Sequence, residues 1–336
     1  MPARAPAPAR PAGWRPVGAH VPVAGGLTAG LRYASAVQAE AIQVFVSSPR
    51  GWAAAAGDPA QDAALAGQVS RAGLPVFVHA PYLINAGSPD PVLRERSAAA
   101  LRHSVRRGAA IGARGVVVHT GSATDGDRTA GLARVRQTLL PVLDELRDGD
   151  PDLLLEPMAG QGQMLCCAVP DLGPYLDALR WHPRALLCLD ICHLFAAGHD
   201  LTAPDGPAAL LAAVQDAAPG RLRLVHANDS RDGCGSLRDR HEAIGRGTIG
   251  AAAFAALLGD PVTAGVPFIA ETPGGQRGHA ADVAALRRLR DEAGRPGGPA
   301  GSASDGPVPG RTGRPDGAGE RQSVMPHSAG ASPSSS

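Results

Sequence analysis

Eight short apolar runs recur along the chain, and longer stretches with helical spacing of apolar residues separate them. The runs lie at residues 17–21, 41–46, 74–80, 115–120, 153–157, 185–190, 222–227 and 267–271. The clearest intervening stretches, rich in Ala, Leu and Arg, lie at residues 91–112, 128–147, 170–179, 207–217 and 251–258. Runs of this length, rich in Val, Leu and Ile, suit strands buried on both faces. Their alternation with helices predicts an α/β fold, a TIM (β/α)8 barrel; an open doubly wound sheet is the alternative, but no Gly-rich phosphate loop follows any run.

Composition limits the folded part of the 336-residue chain to a single domain at residues 14–293. Residues 1–13 are mostly Ala, Pro and Arg, and residues 294–336 are mainly Gly, Pro, Ser, Arg and Asp. Neither stretch has enough apolar surface to offset the entropy of ordering, so we expect both to be disordered. The remaining length is close to the ~250 residues of a typical TIM barrel.

Several functional classes are excluded or left open by composition. No apolar stretch approaches the ~18 residues of a membrane span. The N-terminal Arg residues have no continuous apolar segment behind them, so we expect no secretory signal. Five cysteines do not form a disulfide framework, so we expect a cytoplasmic protein without a membrane partner. The net charge of +1 neither requires nor excludes nucleic acid. Every basic side chain is Arg, so phosphate contacts from basic side chains must use its two-pronged guanidinium.

The apolar runs repeatedly end in a residue that binds metals. Six runs have such a residue at their last position or one before it: His79, His119, Glu156, Asp190, His226 and Glu271. The C-terminal ends of barrel strands are where such folds place their chemistry. A single His at a strand end is more often structural, but six such ends in one chain favour a metal site.

Three further residues extend the set to nine candidate ligands. His193 follows Asp190 by three positions, so one turn of helix brings both side chains to the same rim. Asp239 and His241 are two apart and point the same way in an extended segment. Nine N and O ligands are too many for one ion, so we expect two or three ions that share a carboxylate. Imidazole-rich ligation favours zinc, with Mn or Fe possible in some positions, because Mg and Ca prefer oxygen.

Three residues near this set are interpreted differently. His20 ends the first run, and we expect it either to line the site without binding metal or to be structural. Cys188 and Cys192 flank Asp190, and we interpret both as small buried hydrophobic residues rather than thiolate ligands.

Motifs around these residues resemble the signature segments of the endonuclease IV family of apurinic/apyrimidinic endonucleases (AP endonuclease family 2). The segments are HAPYLINAG at 79–87, LCLDICH at 187–193, HANDS at 226–230 and GSLRDRH at 235–241. GAHV at 18–21, ExxAGQG at 156–162 and the pair Glu271-Thr272 also agree. The resemblance runs in order through the whole predicted domain, and all nine ligand positions hold the expected residue type.

The resemblance implies a barrel that holds three zinc ions. One ion would be bound by His79, His119 and Glu156, and the third by His193, Asp239 and His241. The second would be bound by Glu156, Asp190, His226 and Glu271, and these three carboxylates are the predicted catalytic residues. The implied activity is hydrolysis of the phosphodiester 5′ to an abasic site in double-stranded DNA, leaving a 3′-hydroxyl and a 5′-deoxyribose phosphate, with trimming of blocked 3′ ends. Zinc activates water, so no side-chain nucleophile or organic cofactor is required.

The resemblance also implies DNA-binding residues. Arg50 and Tyr82 match positions that enter the minor groove and displace the abasic nucleotide; alternatively, Tyr82 only packs beside His79 and Arg50 is a solvated loop residue. Two positions depart from the family pattern: Ile191 replaces Thr, which removes a hydroxyl, and Arg231 replaces Lys near the expected DNA path.

Two other functions remain open at this point. A divalent-metal sugar isomerase or epimerase would use the related barrel, but it would not need Asp239, His241 and His193. A DNA-damage binding module without catalysis would keep the fold, but it would normally have lost a ligand. We expect a monomer, because nothing in the sequence indicates a self-complementary apolar face.

Overall fold

The structure is a computed structural model that describes residue 11 and residues 13–295. The stretches predicted to be disordered, 1–13 and 294–336, lie almost entirely outside the described residues. The described residues belong to one compact unit.

Eight parallel strands form a closed barrel, as predicted. The strands of the described residues are β1 (Val17–His20), β2 (Ile42–Phe45), β3 (Val76–His79), β4 (Gly115–His119), β5 (Asp152–Glu156), β6 (Ala185–Asp190), β7 (Leu222–His226), β8 (Asp229–Ser230), β9 (His241–Glu242) and β10 (Phe268–Ala270). The barrel order is β1-β10-β7-β6-β5-β4-β3-β2. Each barrel strand coincides with a predicted run to within two residues at each end.

Helices surround the barrel. In the described part of the chain they are α1 (Leu27–Ala36), α2 (Pro59–Ala72), α3 (Pro91–Ala110), α4 (Arg128–Asp144), α5 (Leu172–Ala178), α6 (Ile191–Ala196), α7 (Gly206–Ala217), α8 (Ala251–Gly259) and α9 (Gly275–Ala293). Two begin with Asp-Pro: Asp58 and Asp90 accept hydrogen bonds from the first backbone N–H groups, and proline follows each. Over the described residues, no helix has both the length and the apolar character needed to cross a bilayer.

The interior of the barrel has an apolar floor, separate from the main core between strands and helices. This floor consists of Ala41, Phe77, Val117, Leu154, Leu186, Cys188, Leu224 and Ile269. Side chains alternate along a strand, so the residue two positions after an inward-facing one also faces inward. That position is His79 after Phe77, His119 after Val117 and Glu156 after Leu154. The polar strand ends therefore point into the C-terminal mouth above the floor.

A short antiparallel ribbon, β8 and β9, stands at this mouth. Asp229 in β8 is fully buried and accepts hydrogen bonds from the backbone N–H groups of Gly245, Gly247 and Ile249 at 2.9 to 3.1 Å. One carboxylate thus holds the loop that leads from the ribbon to α8. The chain between the two ribbon strands carries Asp239, and β9 itself begins at His241.

Candidate metal centre

Strand register brings the predicted ligands together at the mouth of the barrel. His119 at the end of β4 pairs directly with Glu156 at the end of β5. Asp190 at the end of β6 pairs with His226 at the end of β7. Neighbouring parallel strands therefore place an imidazole and a carboxylate side by side in each pair. The other predicted ligands join these pairs in three groups.

The first cluster consists of His79, His119 and Glu156, whose candidate ligand atoms lie within 4.8 Å of one another. His79 Nε2 is 3.3 Å from Glu156 Oε2, and His119 Nε2 is 3.4 Å from the same oxygen. Glu156 and His79 are almost fully buried, at 1% and 2% exposure. Two neutral imidazoles and one carboxylate oxygen are a common donor set for a divalent transition metal.

The second cluster consists of Glu156, Asp190, His226 and Glu271. Nδ1 of His226 lies 2.9 Å from Glu156 Oε1, 3.2 Å from Glu271 Oε2 and 3.8 Å from Asp190 Oδ2. Glu156 directs Oε2 to the first cluster and Oε1 to the second. Its two oxygens can therefore serve both clusters at once, which is the arrangement of a bridging carboxylate.

The third cluster is His193, Asp239 and His241. Asp239 lies between the two imidazoles, 3.2 Å from His193 Nε2 and 3.0 Å from His241 Nε2. The predicted turn of helix after β6 is present as α6, and Asp190 caps it by accepting the His193 N–H at 2.9 Å. Ligand atoms of Asp190 and Cys192 also approach this cluster: Asp190 groups with His193 and His241, and Cys192 with Asp239 and His241.

The second ring nitrogen of most of these imidazoles is fixed by a backbone carbonyl. His79 Nδ1–H donates to the backbone oxygen of Ala80 at 2.7 Å. His193 Nδ1–H donates to that of Pro157 at 3.0 Å, and His241 Nδ1–H to that of Glu271 at 3.2 Å. These hydrogen bonds turn Nε2 of each ring towards the clusters. Such outer hydrogen bonds set the tautomer and orientation of metal-binding histidines.

Charges of opposite sign perturb the pKa values across the site. Burial opposes the charged form of His193, but Asp190 and Asp239 outweigh burial and raise its pKa to about 10. In the same way burial is outweighed at His241, whose pKa rises to about 9. At His119 burial is the largest effect and outweighs the attraction of Glu156, so its pKa is lowered to about 4. For Glu156, burial is outweighed by the charge of His226, and its pKa is lowered. Glu156 is thus held ionised beside protonated imidazoles, and a bound cation would release the proton from each ring nitrogen that faces it.

Three buried polar atoms in the clusters show whether these residues suit a metal ion. Glu156 Oε2, His193 Nε2 and His241 Nε2 have no hydrogen-bond partner among the described residues. Each nevertheless lies 3.0 to 3.4 Å from a metal-binding nitrogen or oxygen of a neighbouring predicted ligand. Buried polar atoms that converge in this way are unfavourable unless a proton or a metal cation lies between them. The donor set and these atoms fit a divalent metal.

Sequence reasoning missed two amides that hold the second cluster. Gln43, fully buried in β2, donates from Nε2 to Glu271 Oε1 at 2.6 Å and has Oε1 3.0 Å from His226 Nε2. Asn228 donates to Asp190 Oδ2 at 2.7 Å and accepts the Glu271 N–H at 2.7 Å. The sequence signal that could have identified Gln43 is its position as a polar residue within the apolar run of β2. His20, expected to be either a site-lining or a structural residue, lies 2.7 Å from Glu271 Oε1.

The two predicted DNA-binding residues lie on neighbouring loops at the mouth. The Tyr82 N–H donates to Pro49 O at 2.9 Å, next to Arg50, whose side chain is exposed. The Tyr82 ring stacks on His119 at 5.5 Å between centroids and meets His79 edge-on at 5.2 Å. It is nonetheless 45% exposed, so it both packs against the first cluster and presents a face to solvent.

The residues that depart from the family pattern lie beside the clusters. Ile191 is completely buried at the start of α6. Arg231 is half exposed, and its Nε lies 3.2 Å from Glu242 in the ribbon. Cys188 is fully buried in the barrel floor, as expected for a small hydrophobic residue. Cys192 is also fully buried, and burial raises its pKa to about 12, which disfavours the thiolate.

Comparisons with known proteins agree with this geometry. A family described as "Xylose isomerase-like TIM barrel" matches residues 31–291. A protein of Streptomyces coelicolor named "Probable endonuclease 4" is 58% identical over 280 residues, which cover 82% of this chain and 95% of that protein. The crystal structure of endonuclease IV from Thermus thermophilus matches with a TM-score of 0.73 and 32% identity, covering 82% of this chain and 99% of that one.

Similarity to sugar-modifying enzymes is confined to the fold. A D-tagatose 3-epimerase-like protein matches with a TM-score of 0.64 but only 19% identity. The two relatives of higher identity are instead named as endonucleases, and the match covers nearly their full length. The chain therefore belongs to the endonuclease IV family of DNA-repair nucleases, and it is an enzyme that hydrolyses phosphodiester bonds.

Proposed function

We propose that this enzyme is a zinc-dependent apurinic/apyrimidinic endonuclease of base excision repair. It hydrolyses the phosphodiester 5′ to an abasic site in duplex DNA, leaves a 3′-hydroxyl and a 5′-deoxyribose phosphate, and also trims blocked 3′ ends. Three zinc ions occupy the three clusters, and manganese can replace zinc in some of them. The protein works as a monomer in the cytoplasm.

The convergence of all nine predicted ligands into three contiguous clusters is the observation that carries this proposal. Asp239, His241 and His193 form the third cluster beside the other two. A sugar isomerase or epimerase needs only one or two ions and gives no reason for this third group. A binding module without catalysis gives no reason for an intact set of nine.

Each part of the site has a task in this reaction. When bound, zinc activates water at neutral pH and neutralises charge that develops on phosphate oxygens. Glu156 ties the first and second clusters together through its two oxygens. Asp190 is held by its helix cap and by Asn228, so its free lone pairs keep a fixed direction. Arg50 and Tyr82, on neighbouring loops at the mouth, fill the gap left by the missing base.

The deciding experiment is cleavage of a labelled duplex that contains one tetrahydrofuran abasic analogue, alongside metal analysis of the purified protein by mass spectrometry. The analogue resists β-elimination, so a product ending in a 3′-hydroxyl arises only by hydrolysis. We expect incision 5′ to the analogue and about three zinc equivalents per chain, since each structural cluster offers three or four ligands.

Other outcomes separate the alternatives. A full metal load without incision contradicts the proposed substrate, and ketoses are then the next substrates to test. Selective binding of the abasic duplex without incision favours the non-catalytic module. Incision at an equal rate in duplex without the analogue contradicts abasic-site specificity while it leaves the nuclease assignment intact.

A further inference from the structure

Gln43 is a polar side chain in a place where the fold otherwise buries apolar ones. It lies in β2 between Ile42 and Val44 and is 0% exposed. Burying an amide costs free energy unless its groups find hydrogen-bond partners. Every hydrogen-bond partner of the Gln43 side chain belongs to the metal centre or touches it.

The contacts of Gln43 span the second cluster. Its Nε2 lies 2.6 Å from Glu271 Oε1 and 3.0 Å from His20 Nδ1. Its Oε1 lies 3.0 Å from His226 Nε2. One amide therefore bonds two predicted ligands of the same cluster, His226 and Glu271, from the side opposite to Glu156.

Hydrogen-bond chemistry fixes the direction of these bonds. An ionised carboxylate only accepts, so the group of Gln43 that faces Glu271 is the NH2. The remaining amide oxygen only accepts, so His226 must carry its proton on Nε2. Nδ1, the atom that faces Glu156, Glu271 and Asp190, is then the ring nitrogen available to a metal ion.

This arrangement is the reverse of that at three other histidines. His79, His193 and His241 donate from Nδ1 to backbone carbonyls and turn Nε2 towards the clusters. His226 turns Nδ1 inwards, and its Nε2 bonds a side chain of β2, a strand separated from β7 by β1 and β10. A side-chain acceptor is thus required to select the tautomer that the second cluster uses.

We propose that Gln43 is a positioning residue that selects Nδ1 of His226 as the metal-binding atom and orients Glu271 in the second cluster. The proposal deepens the metal centre on which the proposed function rests. Outer hydrogen bonds of this kind typically change metal affinity or activity by about 10- to 100-fold. Gln43 touches no predicted ion directly and acts only through these two ligands.

Two variants separate the tasks of Gln43. Gln43→Leu keeps the approximate volume but removes both hydrogen bonds, so we expect zinc in one of the three clusters to bind about 10- to 100-fold more weakly. Gln43→Glu keeps an acceptor for the His226 Nε2–H while it places a second carboxyl group against Glu271. It should therefore keep the Nδ1 coordination of His226 even though zinc affinity falls.

The measurements are chelator competition on the zinc-loaded full-length protein and NMR of 15N-labelled histidine side chains. The competition shows how many ions leave at each chelator concentration, and the NMR spectrum shows which ring nitrogen of His226 binds zinc. Thr138→Val is the matched control, because Thr138 is 6% exposed and donates to backbone carbonyls in α4 and the Ala86 segment, away from the clusters. It should lose stability without any change in zinc affinity.

The outcomes are distinct. Weaker binding of one zinc in Gln43→Leu, with Nδ1 coordination retained in wild type and in Gln43→Glu, supports the proposal. Unchanged zinc affinity in Gln43→Leu, or Nε2 coordination of His226 in the wild type, overturns it. If Gln43→Leu does not fold, the wild-type spectrum and Gln43→Glu still decide. If the wild type binds zinc through His226 Nδ1 but does not incise abasic DNA, the proposed function is contradicted and the role of Gln43 is not. If the wild type binds no zinc, the proposed function and the role of Gln43 are both contradicted.

Discussion

Some single residues at the barrel mouth have more than one structural role. Asp190 ends β6, caps α6 with one oxygen and directs the other to Asn228 and the second cluster. Glu156 divides its oxygens between two clusters. Because each of these carboxylates is fixed by several contacts, small substitutions should have effects larger than their size suggests.

The first residue-scale prediction concerns Glu156→Gln. The amide keeps the shape of the side chain but removes the charge shared by two clusters, so we expect kcat to fall by more than about 100-fold. Binding of abasic duplex should be largely retained, because the barrel and the loops that carry Arg50 and Tyr82 are unchanged. Steady-state cleavage and fluorescence anisotropy measure the two effects.

Glu145→Gln is the matched control for this variant. Glu145 is exposed at the end of α4 and pairs with Arg102 at 2.6 Å, at the other end of the barrel. Its activity should equal that of wild type. Normal turnover by Glu156→Gln would rule out the three-metal mechanism.

The second residue-scale prediction concerns Tyr82→Ala. If the exposed face of Tyr82 stacks at the abasic gap, its loss should reduce discrimination between abasic and intact duplex roughly tenfold, since one stacking contact contributes about 1–3 kcal/mol. Tyr82→Phe keeps the ring and should retain discrimination. The measurement is the ratio of the two Kd values. An unchanged ratio in Tyr82→Ala would leave Tyr82 with only its packing role beside His79 and His119.

At the scale of elements, the ribbon and its flanking loops complete the site. The ribbon strands β8 and β9 are each only two residues long, yet they bring Asp239 and His241 to His193 on α6. Asp229 anchors the following loop through several backbone N–H groups. The third cluster therefore depends on the order of a segment with little regular structure of its own.

Asp229→Ala tests this dependence. The substitution leaves several N–H groups without their charged acceptor, so the free energy of unfolding should fall by about 3 kcal/mol or more. Asp229→Asn should be nearly as damaging, because both carboxylate oxygens accept N–H groups and the amide NH2 cannot. Urea denaturation measures the change. Asp205→Ala, at an exposed helix start where the side chain makes no cap, is the control, and an equal effect there would contradict the prediction.

Arg238→Ala tests whether the loop between the ribbon strands contacts DNA. The Arg238 side chain is 66% exposed, and its Nη1 is 3.8 Å from Asp232 Oδ1, so most of it is free for a phosphate. Loss of one phosphate contact should reduce the slope of log K against log salt by about 0.9. Arg147→Ala, exposed between α4 and β5 at the opposite end of the barrel, should leave the slope unchanged. Equal slopes in the wild type, Arg238→Ala and Arg147→Ala would show that Arg238 does not contact DNA phosphates.

At the scale of the whole molecule, the clusters join elements that are distant in the chain. The second cluster alone connects β5, β6, β7 and the end of β10. A ligand that binds only the folded state stabilises that state by mass action. Metal removal should therefore weaken the entire barrel rather than one loop.

We expect removal of the metals with a chelator to lower Tm by on the order of 10 °C, which corresponds to tight binding at a single site in a domain of this size. Differential scanning calorimetry measures the shift. Added zinc should restore Tm, and Mg²⁺ should not, because it prefers oxygen ligands alone. An unchanged Tm after verified metal loss would show that the clusters contribute nothing to stability.

The sequence by itself determined the barrel and most of the site. Apolar runs and helical spacing are local patterns, so they located all eight barrel strands. Strand alternation and chain direction then require the residues after the apolar floor, such as His79, Glu156 and His226, to point into the same mouth. Grouping of these residues follows from closure of the sheet, which the repeated pattern already predicts.

Only the tertiary structure decided the contacts that cross the barrel and the course of the ribbon. Gln43 is 183 residues from His226 and 228 from Glu271, so no local pattern relates them. Strands of two residues, such as β8 and β9, have no measurable period, and Asp229 is recognised only once its N–H partners surround it. Local periodicity specifies where a strand lies and which way it faces, whereas the choice of ring nitrogen, hydrogen-bond partner and loop path depends on packing between distant segments.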